Sequence, residues 1–305
     1  MKVLISQEIH PCGPEMLEAA GFEVRLCTSS APTDHATLMR ELPGCAALIS
    51  MPTDRIDVSV LATSGLRVVA QHAVGYDNID LAEAERQGVV VTHTPGAVTE
   101  STAEMTFALM LALARRLREG DQLVRDGRFL GWHPMNLLGF DLFGSRLGIV
   151  GPGRIGSAVA VRAQAFGMEV ITHSRNSGMS LARLLRESDI VSLHCPLTEA
   201  THHLIDAATL RQMKPTAVLI NTARGPVVNE ADLVEALERG IIAGAGLDVF
   251  EREPAVHPGL LECTNVVLAP HLGTSTIGTR ARMAKMAAAN AIAVLRGDPP
   301  PNRIA

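Results

Sequence analysis

Residues 147–156 read Leu-Gly-Ile-Val-Gly-Pro-Gly-Arg-Ile-Gly, and this stretch decides the fold of the second half of the chain. An apolar strand runs directly into a Gly-x-Gly-x-x-Gly turn, and a helical pattern over 157–167 follows. Strand, glycine turn and helix in this order predict a helix N-terminus that binds a pyrophosphate. Gly151 permits the tight turn, Gly153 lets the ligand approach the backbone, and Gly156 lets the helix pack closely on the strand.

The end of the next predicted strand, 170–173, bears on which dinucleotide binds. The motif usually has Asp or Glu there to bind the ribose 2′-hydroxyl. Here Ser174 and Arg175 follow the strand, and the nearest acid, Glu169, lies at its start. A serine and an arginine fork suit a 2′-phosphate that an aspartate would repel. We therefore expect NADP to be preferred, with NAD possible; alternatively, Arg175 only stacks on the adenine and discriminates little.

Short β-branched runs alternate with helical patterns along the chain, which is typical of parallel sheets covered by helices on both faces. Five buried strands are predicted at 3–5, 24–26, 46–49, 68–70 and 89–92, and six more strands at 147–150, 170–173, 190–194, 218–221, 244–249 and 266–269. Further helices are predicted at 14–20, 37–41, 57–62, 80–87, 99–120, 180–186, 229–240 and 276–296, with a loop at 121–144. The fold class is therefore α/β.

Length and composition exclude several classes of protein. A chain of 305 residues suggests about two domains, and 47% hydrophobic with 19% charged residues excludes disorder. Only 3% aromatic residues and a net charge of −5 argue against a nucleic-acid partner. The most apolar stretch, 103–114, is shorter than the roughly 20 residues that cross a bilayer. Five scattered cysteines without a Cys-x-x-Cys pair fit a reducing compartment, so we expect a cytoplasmic protein without a membrane anchor or a metal site.

Three side chains of complementary chemistry each lie just past a predicted strand: Arg224, Glu253 and His271. In an open α/β sheet the ligand binds outside the carboxyl ends of the strands. An arginine would bind the carboxylate of a 2-oxo acid and polarise its carbonyl, and a histidine would protonate the forming alkoxide as a hydride arrives. The carboxylate would hydrogen-bond the other ring nitrogen and favour the protonated histidine. From spacing alone, a surface arginine, a solvated glutamate and a core histidine remain equally good interpretations.

Several motifs in order carry a resemblance to a known family. They are Val-Gly-Tyr-Asp-Asn-Ile-Asp at 74–80, Ser-Thr-Ala-Glu at 101–104, Asn-Thr-Ala-Arg-Gly at 221–225, Gly-Leu-Asp-Val-Phe-Glu-Arg-Glu-Pro at 246–254 and Pro-His-Leu-Gly at 270–273. Together with the glycine turn, this pattern resembles the D-isomer-specific 2-hydroxyacid dehydrogenases over essentially the whole chain. The resemblance implies an NAD(P)-dependent enzyme that reduces a small 2-oxo acid to the D-2-hydroxy acid with Arg224, Glu253 and His271.

The resemblance also implies a domain plan and further site residues. It implies two Rossmann-like domains: a doubly wound, parallel-sheet NAD(P)-binding domain at 99–274 and a flavodoxin-like, discontinuous substrate domain at 1–98 plus 275–305. The backbone N–H groups of Val74 and Gly75 would bind the substrate carboxylate. Asp248 would bind the nicotinamide carboxamide. The remaining cofactor contacts would come from Arg154, Ile155, Cys195, Pro196, Thr201, Thr222, Ala223 and Gly273.

Within the family, Gly-Trp-His-Pro at 131–134 resembles the glyoxylate/hydroxypyruvate reductases. The resemblance implies a homodimer in which Trp132 shapes the substrate pocket of the partner subunit; a plain dimer contact is the alternative. The loop at Met51 would set the pocket size, and its sequence resembles the phosphite dehydrogenase branch, which carries a lysine where Val74 stands here. A non-catalytic, NAD(H)-sensing protein similar to the family's corepressors is the other alternative. The segment after Arg175 is shorter than usual, as if a helix and a short strand were deleted.

Overall fold

The structure, a computed structural model, describes residues 1–27, 32–176 and 178–305. The chain divides into two compact units, Met1–Val98 with Thr274–Ala305, and Thr99–Gly273. Each unit is built on its own parallel sheet. No helix in these ranges is long and apolar enough to cross a membrane.

The first unit has a five-stranded parallel sheet in the order β2-β1-β3-β4-β5, the flavodoxin-like order. Its strands are β1 (Lys2–Ile5), β2 (Glu23–Leu26), β3 (Ala47–Ser50), β4 (Val68–Gln71) and β5 (Val90–Thr92). Its helices are α1 (Cys12–Ala19), α2 (His35–Glu41), α3 (Val58–Leu61), α4 (Leu81–Gln87) and, from the end of the chain, α12 (Ile277–Arg296). Apolar side chains from α1 and α12 bury one face of the sheet, and those from α2, α3 and α4 bury the other.

The positions of all five strands are confirmed, but the prediction that all five are buried is wrong for β2. Most of its side chains are exposed. The reason is its place at the edge of the sheet, where it pairs only with β1. Arg25 and Glu23 form an ion pair along this strand, with Nε and Oε1 3.3 Å apart.

The second unit has a six-stranded parallel sheet in the order β11-β10-β9-β8-β6-β7. Its strands are β6 (Arg146–Val150), β7 (Glu169–His173), β8 (Ile190–Leu193), β9 (Val218–Asn221), β10 (Gly244–Leu247) and β11 (Val266–Leu268). Its helices are α5 (Thr99–Ala114), α6 (Leu117–Arg125), α7 (Arg154–Ala165), α8 (Leu181–Glu187), α9 (Ala207–Leu210), α10 (Glu230–Glu238) and α11 (Pro258–Glu262), with a 3-10 turn at Gly225–Val227.

The strand order reverses at β6, which lies between β7 and β8. The carboxyl end of β6 is therefore the switch point where doubly wound folds bind ligands. In the described part of the chain β7 is the edge strand, and the next element after it is α8. This arrangement agrees with the shortened segment that the sequence indicates after Arg175.

The single helix predicted over 99–120 is wrong, since the structure has α5 and α6 with a break at Arg115 and Arg116. Arg116 adopts a left-handed backbone with φ of 50°. At this break the carbonyl of Ala114, the last residue of α5, accepts a hydrogen bond from Phe140 N at 3.0 Å, so the segment around Phe140 packs against the end of the helix. The predicted loop therefore starts only after Arg125, and α6 buries none of its residues.

Candidate active site

The glycine turn links β6 to α7 and has the shape of a phosphate cradle. Gly151 has φ of 90°, and a Cβ there would lie 2.7 Å from the backbone nitrogen of Cys195. A Cβ on Gly156 would lie 2.5 Å from the carbonyl oxygen of Gly151. Nothing lies within 4 Å of a Cβ built on Gly153, the N-cap of α7, so the approach to the helix N-terminus is open. Because the first-turn N–H groups of a helix have no intrahelical partners, this turn fits a dinucleotide pyrophosphate.

Ser174 and Arg175 directly follow β7, so they lie at the carboxyl end of the strand next to the glycine turn. Ser174 is half-buried and Arg175 is exposed. Glu169 begins the same strand, and its Oε2 accepts an ion-pair hydrogen bond from Arg146 Nη2 at 2.7 Å. The one carboxylate of this strand therefore lies at its amino end, away from Ser174 and Arg175, as the sequence indicates.

The loop after β8 is held by its own side chains. Thr201 Oγ1 donates to Pro196 O at 2.7 Å and accepts from Thr198 N at 2.8 Å. Cys195 is buried against the glycine turn, and burial raises the pKa of its thiol to about 11. The thiol therefore stays protonated and packs as a small apolar group.

The loop that carries Arg224 is fixed from two sides. The buried Asn221 side chain donates to Arg224 O at 2.9 Å and accepts from Ala223 N at 3.0 Å. A Cβ on Gly225 would lie 1.9 Å from the carbonyl carbon of Phe250, so only glycine fits there. Thr222 Oγ1 also lies 3.0 Å from Thr106 Oγ1. Arg224 thus projects from a rigid turn at the carboxyl end of β9.

His271 and Glu253 form a directly bonded pair. His271 Nδ1 lies 2.8 Å from Glu253 Oε2, and Phe250 N donates to Glu253 Oε1 at 3.0 Å. Burial pushes the pKa of Glu253 upward, but the hydrogen bond and charge of His271 outweigh it, with a smaller contribution from Arg224, so this pKa is lowered overall. With Nδ1 committed to the carboxylate, Nε2 is the ring atom left to exchange a proton with a ligand.

The backbone of His271 is in the left-handed region, with φ of 56°. Its N–H donates to Asp248 O at 2.8 Å, and both carboxylate oxygens of Asp248 accept backbone N–H groups, from Leu272 at 2.6 Å and from Gly273 at 2.7 Å. Such an outlier persists only where its surroundings fix it. Sequence reasoning missed this use of Asp248, whose place just past a buried strand, 23 residues before His271, gave the only signal.

β9, β10 and β11 are neighbours in the sheet, and Arg224, Glu253 and His271 follow them in that order. The structure therefore brings the three predicted catalytic side chains to one end of one sheet. Sequence reasoning also missed a second contact in this region, His203 Nε2 to Glu251 Oε1 at 2.9 Å. His203 N donates to Pro226 O at 2.8 Å, so this pair supports the turn after Arg224 from the side of the loop that follows β8.

The remaining predicted site residues differ in how far they are exposed to solvent. In the first unit, Met51 is buried, while Val74 and Gly75 are half-buried in the loop after β4. In the second unit, Trp132 is 86% exposed. No group of three or more metal-ligating side chains occurs among the residues that the structure describes.

The chain is similar to several known proteins. The sequence profile of the NAD binding domain of D-isomer specific 2-hydroxyacid dehydrogenases matches residues 107–273. A glyoxylate reductase from Korarchaeum cryptofilum is 48% identical, over 99% of this chain and 95% of that protein. The crystal structure of a Thermus thermophilus protein is 45% identical, has a TM-score of 0.96 and matches over 100% of both chains.

A third likeness is to an NADPH-dependent glyoxylate/hydroxypyruvate reductase from Sinorhizobium meliloti, solved with NADP and malonate. It is 33% identical with a TM-score of 0.90, over 100% of this chain and 96% of that one. These likenesses first define a class, the oxidoreductases that use a nicotinamide dinucleotide and act on CH–OH groups. Within that class, the chain belongs to the D-isomer specific 2-hydroxyacid dehydrogenase family, and it reduces a 2-oxo acid. The resemblance given by the sequence motifs is thereby confirmed.

Proposed function

We propose that this enzyme is an NADPH-preferring reductase of glyoxylate or hydroxypyruvate. The observation that carries the chemistry is the 2.8 Å contact between His271 Nδ1 and Glu253 Oε2, next to the rigid turn of Arg224. The choice of substrate is supported by the names of the relatives, glyoxylate reductase and glyoxylate/hydroxypyruvate reductase.

Each of the three side chains has a separate task in this proposal. The Arg224 guanidinium binds the substrate carboxylate and draws electron density from the keto group. His271 donates the proton on Nε2 to the carbonyl oxygen that becomes the hydroxyl. Glu253 holds Nδ1, so that the ring keeps its orientation and its positive charge is compensated. A bound nicotinamide dinucleotide supplies the hydride.

The unit with residues 1–98 and 275–305 is assigned to substrate binding and the unit with 99–274 to the dinucleotide. In the first, the N–H groups of Val74 and Gly75 bind the substrate carboxylate, and Met51 limits the pocket. In the second, the cofactor contacts are Gly151, Gly153, Arg154, Ile155, Gly156, Cys195, Pro196, Thr201, Thr222, Ala223, Asp248 and Gly273. Ser174 and Arg175 bind the 2′-phosphate, which makes NADP the preferred cofactor. The only acid of that strand, Glu169, lies at the other end of the strand and supports this choice.

A second copy of the chain covers the segment 129–143, so the protein is a homodimer. The support is a run of exposed apolar side chains that includes Phe129, Leu130, Trp132, Met135, Leu138 and Phe143. Trp132 would then shape the pocket of the partner subunit. Sedimentation of the wild type and of Trp132→Ser tests this proposal. A monomeric wild type would contradict it, and a dimer weakened in the variant would support it.

The cytoplasm is proposed as the compartment, because all five cysteines are free thiols.

The experiment that tests the function follows the ultraviolet absorbance of NADPH, and separately of NADH, as each 2-oxo acid is added. The panel contains glyoxylate, hydroxypyruvate, pyruvate and longer 2-oxo acids. A separate reaction tests whether phosphite reduces NADP. We expect the highest kcat/KM with NADPH and one of the first two substrates. Preference for a longer 2-oxo acid would move the assignment to another dehydrogenase of the family. Cofactor binding without any turnover would favour a dinucleotide-sensing protein instead.

A further inference from the structure

The loop after β4 has three consecutive backbone carbonyls, and each accepts a hydrogen bond. The carbonyl of Ala73 accepts from Thr94 N at 2.9 Å. That of Val74 bonds to His93 Nδ1 at 2.9 Å, and that of Gly75 accepts from Gln71 Nε2 at 3.2 Å. Two of the three donors are side chains, so side-chain chemistry decides the orientation of these peptide planes.

The orientation of the carbonyls also fixes the N–H groups. The peptide bonds of this loop are trans, and in a trans peptide the C=O and the following N–H point to opposite sides. Anchoring the carbonyls of Ala73, Val74 and Gly75 therefore directs the N–H groups of Val74, Gly75 and Tyr76 away from those anchors. No described residue accepts a hydrogen bond from these three N–H groups. Backbone N–H groups that have no partner within the protein are donors for anions such as carboxylates.

The Gln71 anchor is itself fixed by a buried chain of hydrogen bonds. Both Nδ2 bonds of Asn78 go to backbone carbonyls, those of Met51 at 3.1 Å and Asp54 at 2.7 Å. Asn78 Oδ1 must therefore accept, and Gln71 Nε2 donates to it at 2.8 Å. Ser50 Oγ donates to Gln71 Oε1 at 2.6 Å. Since Gln71 and Ser50 are fully buried, this amide has one orientation, with its second hydrogen on the carbonyl of Gly75.

The His93 anchor is fixed in a similar way. A carbonyl oxygen can only accept, so His93 Nδ1 carries the hydrogen in its contact with Val74. The carbonyl of His93 accepts from Asn290 Nδ2 at 3.0 Å, and Asn290 is fully buried on α12. The ring also meets Tyr76 edge to face, with centroids 5.7 Å apart. Both anchors are therefore held by hydrogen bonds to buried side chains of the first unit.

We infer that Gln71 and His93 are positioning residues that orient the N–H groups of Gly75 and Tyr76 to bind the carboxylate of the 2-oxo acid. This inference rests on the proposed function and deepens it, because it adds two side chains and a third donor, Tyr76 N–H, to the substrate loop. Without an anchor, the peptide plane is free to turn, and the loop must be ordered again each time a substrate binds. The carboxylate changes little during the reaction, so the loss falls on KM and leaves kcat nearly unchanged.

The test uses Gln71→Met, which keeps the length of the side chain but removes the donor. We expect about a tenfold rise in KM for glyoxylate, the effect of one lost charge-assisted hydrogen bond, with kcat and KM for NADPH within twofold of the wild type. His93→Phe is expected to act in the same way. His93→Asn, whose Nδ2 can replace the Nδ1 donor, is expected to restore most of the affinity.

Leu42→Ala is the matched control for stability, because Leu42 is fully buried in the same unit, in a core cluster that includes no residue of 73–76. We expect it to lower the unfolding temperature and to leave the KM for glyoxylate unchanged. The inference would be overturned if Gln71→Met raised the KM for glyoxylate no more than Leu42→Ala does. It would also be overturned if Gln71→Met lowered kcat and left this KM unchanged.

Oxalate, a dicarboxylate that mimics a 2-oxo acid, separates this inference from the proposed function. Its dissociation constant, measured by calorimetry, needs no turnover. If the wild type reduces no 2-oxo acid, the proposed function fails, and a tenfold weaker oxalate complex in Gln71→Met still supports the anion site. An unchanged oxalate constant in an active enzyme contradicts the inference alone.

Discussion

His271 Nδ1 and Glu253 Oε2 lie 2.8 Å apart, and the histidine holds this position with a left-handed backbone. We expect His271→Ala to lower kcat by about 10²- to 10⁴-fold, the usual contribution of general acid catalysis, with little change in KM for NADPH. Glu253→Gln keeps the size of the side chain but removes the charge that compensates the protonated ring, so it should lower kcat less. Steady-state kinetics measure both effects, with His35→Gln, on α2 of the first unit, as the control. A His271→Ala enzyme with near-normal kcat would refute the role of this side chain.

Gly225 gives a test of the Arg224 turn that leaves the arginine in place. A Cβ there would lie 1.9 Å from the carbonyl carbon of Phe250, so Gly225→Ala must displace one of the two loops. Because a displacement of about 1 Å can cost on the order of 10²-fold in rate, we expect kcat/KM to fall by roughly that factor. Gly120→Ala is the control, since its Cβ would meet only Leu137 Cδ1 at 3.7 Å. Equal kinetics for the two variants would contradict a rigid Arg224 turn.

Arg175→Ala tests the preference for NADPH. An arginine fork on a phosphate contributes more than a neutral hydrogen bond, so we expect KM for NADPH to rise by about 10- to 100-fold and KM for NADH to stay nearly constant. Arg186→Ala, on α8, provides the matched control. If KM for NADPH stays unchanged in Arg175→Ala, the exposed arginine does not bind the 2′-phosphate.

Two buried histidines predict an acid limit to stability. Burial lowers the pKa of His194 from its usual 6.5 to about 4. Burial, with a smaller contribution from the charge of Arg280, lowers the pKa of His72 to about 4 as well. Between these pH values the unfolded chain binds more protons than the folded chain, so the free energy of unfolding falls as the pH is lowered from 6.5 to 4. Each histidine contributes on the order of 3 kcal/mol to this loss.

Urea unfolding between pH 7 and pH 4 measures that slope. His72→Phe is expected to reduce the slope, because the proton that only the unfolded state accepts is removed. Leu42→Ala, which removes buried apolar volume but no titratable group, should leave the slope unchanged. A slope in His72→Phe equal to that of the wild type would show that His72 takes up its proton equally in both states.

The sequence predicts most of the fold because buried parallel strands appear as short β-branched runs, and a glycine turn marks one strand end without ambiguity. It fails for the exposure of β2 and for the break after α5. The first depends on strand order, and the second depends on Phe140, which reaches Ala114 from 26 residues away. Neither neighbour can be read from local spacing.

For the candidate site as well, the sequence predicts one part and leaves the other to the structure. The place of Arg224, Glu253 and His271 at strand ends follows from the pattern of strands. The supporting contacts do not, because Gln71, His93 and Asp248 act through backbone atoms elsewhere in the chain, and a buried polar side chain looks the same in sequence whichever backbone group it holds. Asn78 is the exception, since it belongs to a family motif, but its partners Met51 and Asp54 become visible only in the structure.

Hydride transfer to one face of a 2-oxo acid is the reaction proposed for this enzyme. The most direct measurement is a reaction of hydroxypyruvate with NADPH that carries deuterium at the transferred position, followed by mass spectrometry and chiral chromatography of the product. We expect D-glycerate with one deuterium on the carbon that bears the new hydroxyl group. A product without deuterium, or the L isomer, would contradict this reaction.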